Sequence, residues 1–119
     1  VRPRVLDASA IIALYQAHPP VFHLLTQAHD GELTIAVPAV ALAEANITIR
    51  ASNNDWEAVL LTGGFTVLPL AQHVAIEISE LTGDLATRHV VHEARSIQGL
   101  VVTCEPELYA GNNVPVIPV

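Results

Sequence analysis

Two apolar runs in this chain each end on a carboxylate: Val5-Leu6-Asp7 early, and Leu100-Val101-Val102-Thr103-Cys104-Glu105 late. Such runs fit strands buried on both faces of a parallel sheet, and ligands gather at the carboxyl edge of those strands. If the two strands lie side by side and point the same way, Asp7 and Glu105 meet. Converging carboxylates repel each other unless something positive stands between them, and oxygen donors suit a hard divalent cation. Cation chemistry is the first expectation.

Each acid also has an ordinary structural use. Asp7 precedes a predicted helix and could cap its free amides, with Ser9 assisting that role or a chemical one. Glu105 sits before Pro106, a good first helical residue, but glutamate is a poor cap, which suggests another demand on its carboxylate. Glu44 lies in the apolar stretch Val37-Pro38-Ala39-Val40-Ala41-Leu42-Ala43-Glu44-Ala45. Helical spacing puts it on one face with Val40 and Ile47, where a buried carboxylate would need a cation or donors. A salt bridge to Arg50 is the alternative, at poor spacing. Asp84 follows Gly83 and is placed to cap the next helix, yet it shares a side with Thr87 and could point inward.

Other polar patterns are weaker. His89, His92 and Glu93 form an H-x-x-H-E run that lacks the spacing of the helical zinc-protease signature, and both histidines are expected off the apolar face. The stripe Arg88, His92, Arg95 reads as a solvated helix face, with Arg88 as the candidate phosphate contact. His18, His23, His29 and His73 show no convergent pattern. The lone Cys104 reads as a small buried residue at a strand end and rules out an internal disulfide. There is no Gly-rich phosphate loop, Cys–His pair or G-x-S-x-G elbow.

The elements that must position these residues alternate along one expected domain, residues 1–119. Strands are predicted at residues 4–7, 34–37, 65–68, 100–103 and 114–117. Helices are predicted at 8–16, from Pro19 to the Asp30-Gly31 turn, and at 38–49, 54–62, 71–81 and 85–98. Short strands separated by helices imply right-handed crossovers and a parallel sheet covered on both faces, a three-layer α/β/α domain. With 51% hydrophobic residues the chain can build its core without metals or disulfides. No stretch makes a continuous apolar membrane helix, and no secretory pattern is visible, so the cytoplasm is the expected compartment. The net charge is −7 and five arginines are the only permanent positive charges. That counts against stable, non-specific nucleic-acid binding by phosphate neutralisation, but does not exclude an enzyme that reaches a phosphodiester through a metal ion.

Asp7, Glu44, a late helix and Glu105, in this order, resemble the PIN-domain family, specifically its small bacterial toxins of VapC type. Val5-Leu6-Asp7-Ala8-Ser9-Ala10-Ile11-Ile12-Ala13-Leu14 is similar to the family's first strand and helix. Val37-Pro38-Ala39-Val40-Ala41-Leu42-Ala43-Glu44-Ala45 is similar to its second acidic motif. Val90-Val91-His92-Glu93-Ala94 through Val101-Val102-Thr103-Cys104-Glu105 looks like its degenerate third and fourth. The family's third aspartate falls on Thr87, which cannot be an anionic ligand, with Asp84 one turn upstream as a substitute; Glu105 stands where aspartate is usual.

The resemblance implies an Mg²⁺- or Mn²⁺-dependent ribonuclease. Asp7 would be the central ligand, Glu44 and Glu105 would flank it, and Asp84 would hold a second ion or an outer water. Ser9, Thr87 and Thr103 would support them. It also implies an RNA substrate, a cognate antitoxin and a homodimer. A catalytically impaired PIN-fold module for protein–protein or RNA binding is the alternative, distinguished by failure to bind Mn²⁺. A nucleotide- or small-ligand-binding α/β domain is a third, favoured by nucleotide retained through purification.

Overall fold

Leu6 is followed at once by a residue whose carboxylate accepts the Ala10 amide, so strand β1 (Arg4–Leu6) gives way directly to helix α1 (Ala8–Tyr15). The computed structural model describes residues 1–119. After α1 come α2 (Pro19–His29), β2 (Ile35–Pro38), α3 (Ala39–Ile49), α4 (Asn53–Leu60) and β3 (Phe65–Leu68). Then follow α5 (Gln72–Ile78), α6 (Leu85–Ile97), β4 (Leu100–Thr103), a 3₁₀ turn (Pro106–Tyr109) and β5 (Val116–Pro118). The element order matches the sequence expectation, with ends shifted by a turn or less.

All five strands run parallel in the order β3-β2-β1-β4-β5. The register of the central pair is Arg4 to Leu100, Val5 to Val101 and Leu6 to Val102. β1 therefore lies beside β4, pointing the same way, and the strand order reverses between them. In open α/β sheets that reversal opens a crevice at the carboxyl ends of the strands. Val5, Leu6, Val37, Val101 and Val102 are fully buried, as strands covered on both faces require. This is the expected three-layer α/β/α arrangement.

Three burial expectations are corrected. Glu44 is exposed, and so is Ile47, at 73%. α3 buries Ala41 and Ala45 instead, because methyl side chains allow close packing against α1 and α6. A helix apolar on every side carries no stripe to say which face goes in. Cys104 is exposed, since the chain leaves the sheet at Thr103. His89 is fully buried, and Glu93 nearly so, because α6 is packed by α3 and α5 as well as by the sheet.

Candidate functional site

Asp7 is the last residue before α1 and is only 3% exposed. Its Oδ1 accepts the Ala10 amide at 2.9 Å and the Ser9 hydroxyl at 2.7 Å. Its Oδ2 accepts the Tyr109 hydroxyl at 2.9 Å. The capping role is thus real, and it uses one oxygen. The other takes the Tyr109 hydroxyl, and the residue lines a crevice.

Ser9 has one proton, and the ionised Asp7 carboxylate can only accept it, which orients the neighbouring groups. Ser9 Oγ accepts the Cys104 amide at 2.9 Å and lies 3.3 Å from Thr103 Oγ1. Thr103 Oγ1 accepts the Glu105 amide at 2.8 Å. With the Ser9 proton committed to Asp7, the Thr103 hydroxyl donates to Ser9. A directed relay runs from the Glu105 amide through Thr103 and Ser9 to Asp7. It stitches the end of β4 to the end of β1 and fixes the backbone that carries Glu105. The Glu105 side chain makes no capping bond to the 3₁₀ turn and is free for the cleft.

Asp84 caps α6, accepting the Thr87 amide at 2.8 Å, as one of its two expected uses. It nevertheless lines the same small cleft as Asp7, Ser9, Glu44, Thr87, Glu105 and Tyr109, and no arginine lines it. Thr87 is buried at its wall. The cleft holds about 50 Å³, room for an ion and a water but not for a nucleotide base. Four carboxylates separated along the chain therefore face one crevice, Glu44 reaching it from the exposed side of α3. The alternative use of Glu44, a salt bridge to Arg50, does not form.

Tyr109 was missed in the sequence. It is 3% exposed and stands among the acids. Burial first, then the charge and hydrogen bond of Asp7 and the charges of Asp84 and Glu105, push its hydroxyl well above the usual phenol range. The group stays protonated and serves the acids as a donor. The available signal was its place one turn beyond Glu105, in the turn that Pro106 opens.

The donor set fits a hard cation in kind: carboxylates and hydroxyls, with no sulfur or imidazole among them. Its spacing is wider than a bound ion would require, since no three acidic, histidine or cysteine side chains stand close enough to hold a metal ion together. Ion binding would draw the acids inward.

Residues outside the cleft have other work. Arg88 does not line it, and its Nε donates to the Gly83 carbonyl at 2.6 Å, holding the loop before α6. His89 Nδ1 accepts the Val40 amide at 3.3 Å, which puts its proton on Nε2, 3.4 Å from Glu93. Burial pushes its pKa below the ordinary value, with the Glu93 charge opposing. His92 pairs with Glu77. With His73 and Arg95 they line a second cavity between α5 and α6, a convergence of His73 that the sequence pattern did not show.

Neither a protein-family model nor a curated protein sequence matches this chain. Solved structures do. A chain of VapBC2 from Rickettsia felis, solved on a DNA fragment from its promoter, superposes with a TM-score of 0.73 at 14% identity, covering 98% of each chain. A toxin–antitoxin complex from Klebsiella pneumoniae gives 0.68 at 13% identity, over 96% of this chain and 95% of the other. PAE2754 from Pyrobaculum aerophilum gives 0.61 at 22% identity, over 99% and 91%. At these identities the likeness is one of fold, and the fold is PIN-like. No helix is long and apolar enough to cross a membrane.

Proposed function

We propose that the chain is a PIN-type, Mg²⁺- or Mn²⁺-dependent endoribonuclease, the toxin of a toxin–antitoxin pair. The observation that carries this reading is the meeting of Asp7, Glu44, Asp84 and Glu105 on one crevice at the strand-order reversal of a PIN-like sheet. Those four would hold the ion, Asp7 through Oδ2. When bound, such an ion supplies Lewis acidity, making water a better nucleophile and offsetting charge on the phosphodiester. Ser9 and the Ala10 amide keep Asp7 in one rotamer. The Thr103–Ser9 relay holds the Glu105 backbone against it. With no lysine in the chain and no arginine in the cleft, phosphate would be drawn in through the cation rather than through a basic groove.

The partners in this reading are RNA, a cognate antitoxin and a second copy of the chain, within the cytoplasm and a single domain. The toxin–antitoxin context of the VapBC2 and Klebsiella structures supports the antitoxin. The test is cleavage of single-stranded and structured RNA by protein freed of any partner, with Mn²⁺ or Mg²⁺ and with chelator. Cleavage should require the ion and vanish in Asp7→Asn. Cleavage that survives Asp7→Asn would reject the assignment.

The open spacing of the acids and Thr87 at the family's third acidic position favour a second reading, a PIN-fold binding module without catalysis. Calorimetry separates the two: absence of Mn²⁺ binding near neutral pH selects the module.

A further inference from the structure

Asp7 has one oxygen left for an ion, and something already sits on it. Oδ1 holds two donors, Ser9 Oγ and the Ala10 amide, which fill its lone-pair directions. Oδ2 holds the Tyr109 hydroxyl at 2.9 Å. The charges of Asp84 and Glu105 also reach that hydroxyl, so it lies where the fields of three acids overlap. The acids, meanwhile, do not close around a common point of their own.

We propose that the Tyr109 hydroxyl is an internal plug, a neutral donor standing in the cation's place that a divalent ion must displace from Asp7 to bind. This rests on the metal-site reading above and adds a latch to it. The latch is local. Tyr109 ends the 3₁₀ turn whose first flanking residue is Glu105. Gly111 and Asn113, just beyond, both have positive φ, at 80° and 54°. The phenol can leave Asp7 with the Glu105 amide still held by Thr103 Oγ1, and the Glu105 side chain, which makes no capping bond, is then free to turn toward the ion. In the plugged state Asp7 meets a proton donor instead of a cation, which keeps a buried acid tolerable without metal.

The experiment is calorimetric titration of Mn²⁺ into the wild-type chain, Tyr109→Phe and Asp7→Asn, with thermal unfolding of each. Removing a hydrogen bond to a charged group from the competing state should tighten Mn²⁺ binding on the order of tenfold or more in Tyr109→Phe. Asp7→Asn should not bind. A second measurement uses the wild-type phenol. The chain has two tyrosines, so a Tyr15→Phe background leaves Tyr109 alone, and its near-ultraviolet difference spectrum should change as Mg²⁺ saturates. Equal or weaker binding by Tyr109→Phe, with the wild type binding, overturns the plug and leaves the metal site standing. No binding by either overturns both. If Tyr109→Phe fails to fold, a tyrosine spectrum unmoved by saturating Mg²⁺ overturns the plug by itself.

Discussion

Asp7 serves the fold and the cleft at once, and two substitutions separate the roles. Asp7→Ala deletes the acceptor that caps α1, a loss of about 1 kcal/mol for a helix of this kind. It also leaves the buried Tyr109 hydroxyl without its acceptor, which costs on the order of 1–3 kcal/mol. Relief of repulsion from Asp84 and Glu105 returns little, because both are exposed and screened. The net loss should be about 2–3 kcal/mol; at a urea slope of about 1.5 kcal/mol per M, the unfolding midpoint falls by roughly 1.3–2 M. Asp7→Asn keeps an oxygen for Ser9 and Ala10 and turns an amide toward the Tyr109 oxygen, so its cost should stay below about 1 kcal/mol. It nonetheless removes the central anion, and ion-dependent RNA cleavage should fall to background. Buried Trp56, the only tryptophan, reports unfolding by fluorescence, and gel analysis of RNA reports cleavage. An Asn variant as unstable as the Ala variant would refute the hydrogen-bond reasoning, because charge rather than geometry would then be holding this end of the sheet.

Asn46 clamps α3 to α4: its Nδ2 donates to the Ala51 carbonyl at 3.0 Å, and its Oδ1 accepts the Ala51 amide at 3.1 Å and Trp56 Nε1 at 3.0 Å. Asn46→Ala should cost about 2–4 kcal/mol in urea unfolding, and a loss under about 1 kcal/mol would contradict the clamp. Gly99→Ala places a Cβ 2.7 Å from Val5 Cγ2 and 3.1 Å from the Pro3 carbonyl, next to β1. Overpacking of this kind should cost about 1–3 kcal/mol, read as a lowered melting temperature. His89 is buried neutral, its folded pKa lying below the ordinary 6.5. As pH falls below that value the unfolded chain takes up a proton that the folded chain refuses, so stability is full above it and declines below. Urea midpoints between about pH 7.5 and pH 5 should therefore fall more steeply for the wild type than for His89→Gln, and parallel slopes would count against a neutral buried His89.

The strand pair that makes the crevice was legible in the sequence. Val5-Leu6 and Leu100–Thr103 are apolar without alternation, which only a sheet covered on both sides explains, and each ends on its acid. Glu44 was assigned to the site for a reason that failed. Its helix is apolar all round, so the pattern could not show that Ala41 and Ala45 go inward while Glu44 reaches the cleft from outside. His89 was misplaced because α6 is gripped on more than one side, which periodicity along a single helix does not encode. Cys104 was misjudged because one residue separates the buried strand from open turn. Tyr109 stood near Glu105 in the sequence, but its role did not show, because its hydroxyl matters through a partner 102 positions away. Distances of that kind belong to topology, and no local pattern announces them.

That same separation governs when the crevice comes into being. β1 is made first and has no neighbour on its β4 side until Leu100–Thr103 has been synthesised, while Asp7 waits still longer for Tyr109. On the ribosome, an emerging polypeptide thus holds its early acid without the late one, and the crevice stays incomplete until residues 100–109 have left the exit tunnel. Translational pausing upstream of that point would leave Asp7 without Tyr109 and β1 without β4, and premature termination would leave them so permanently.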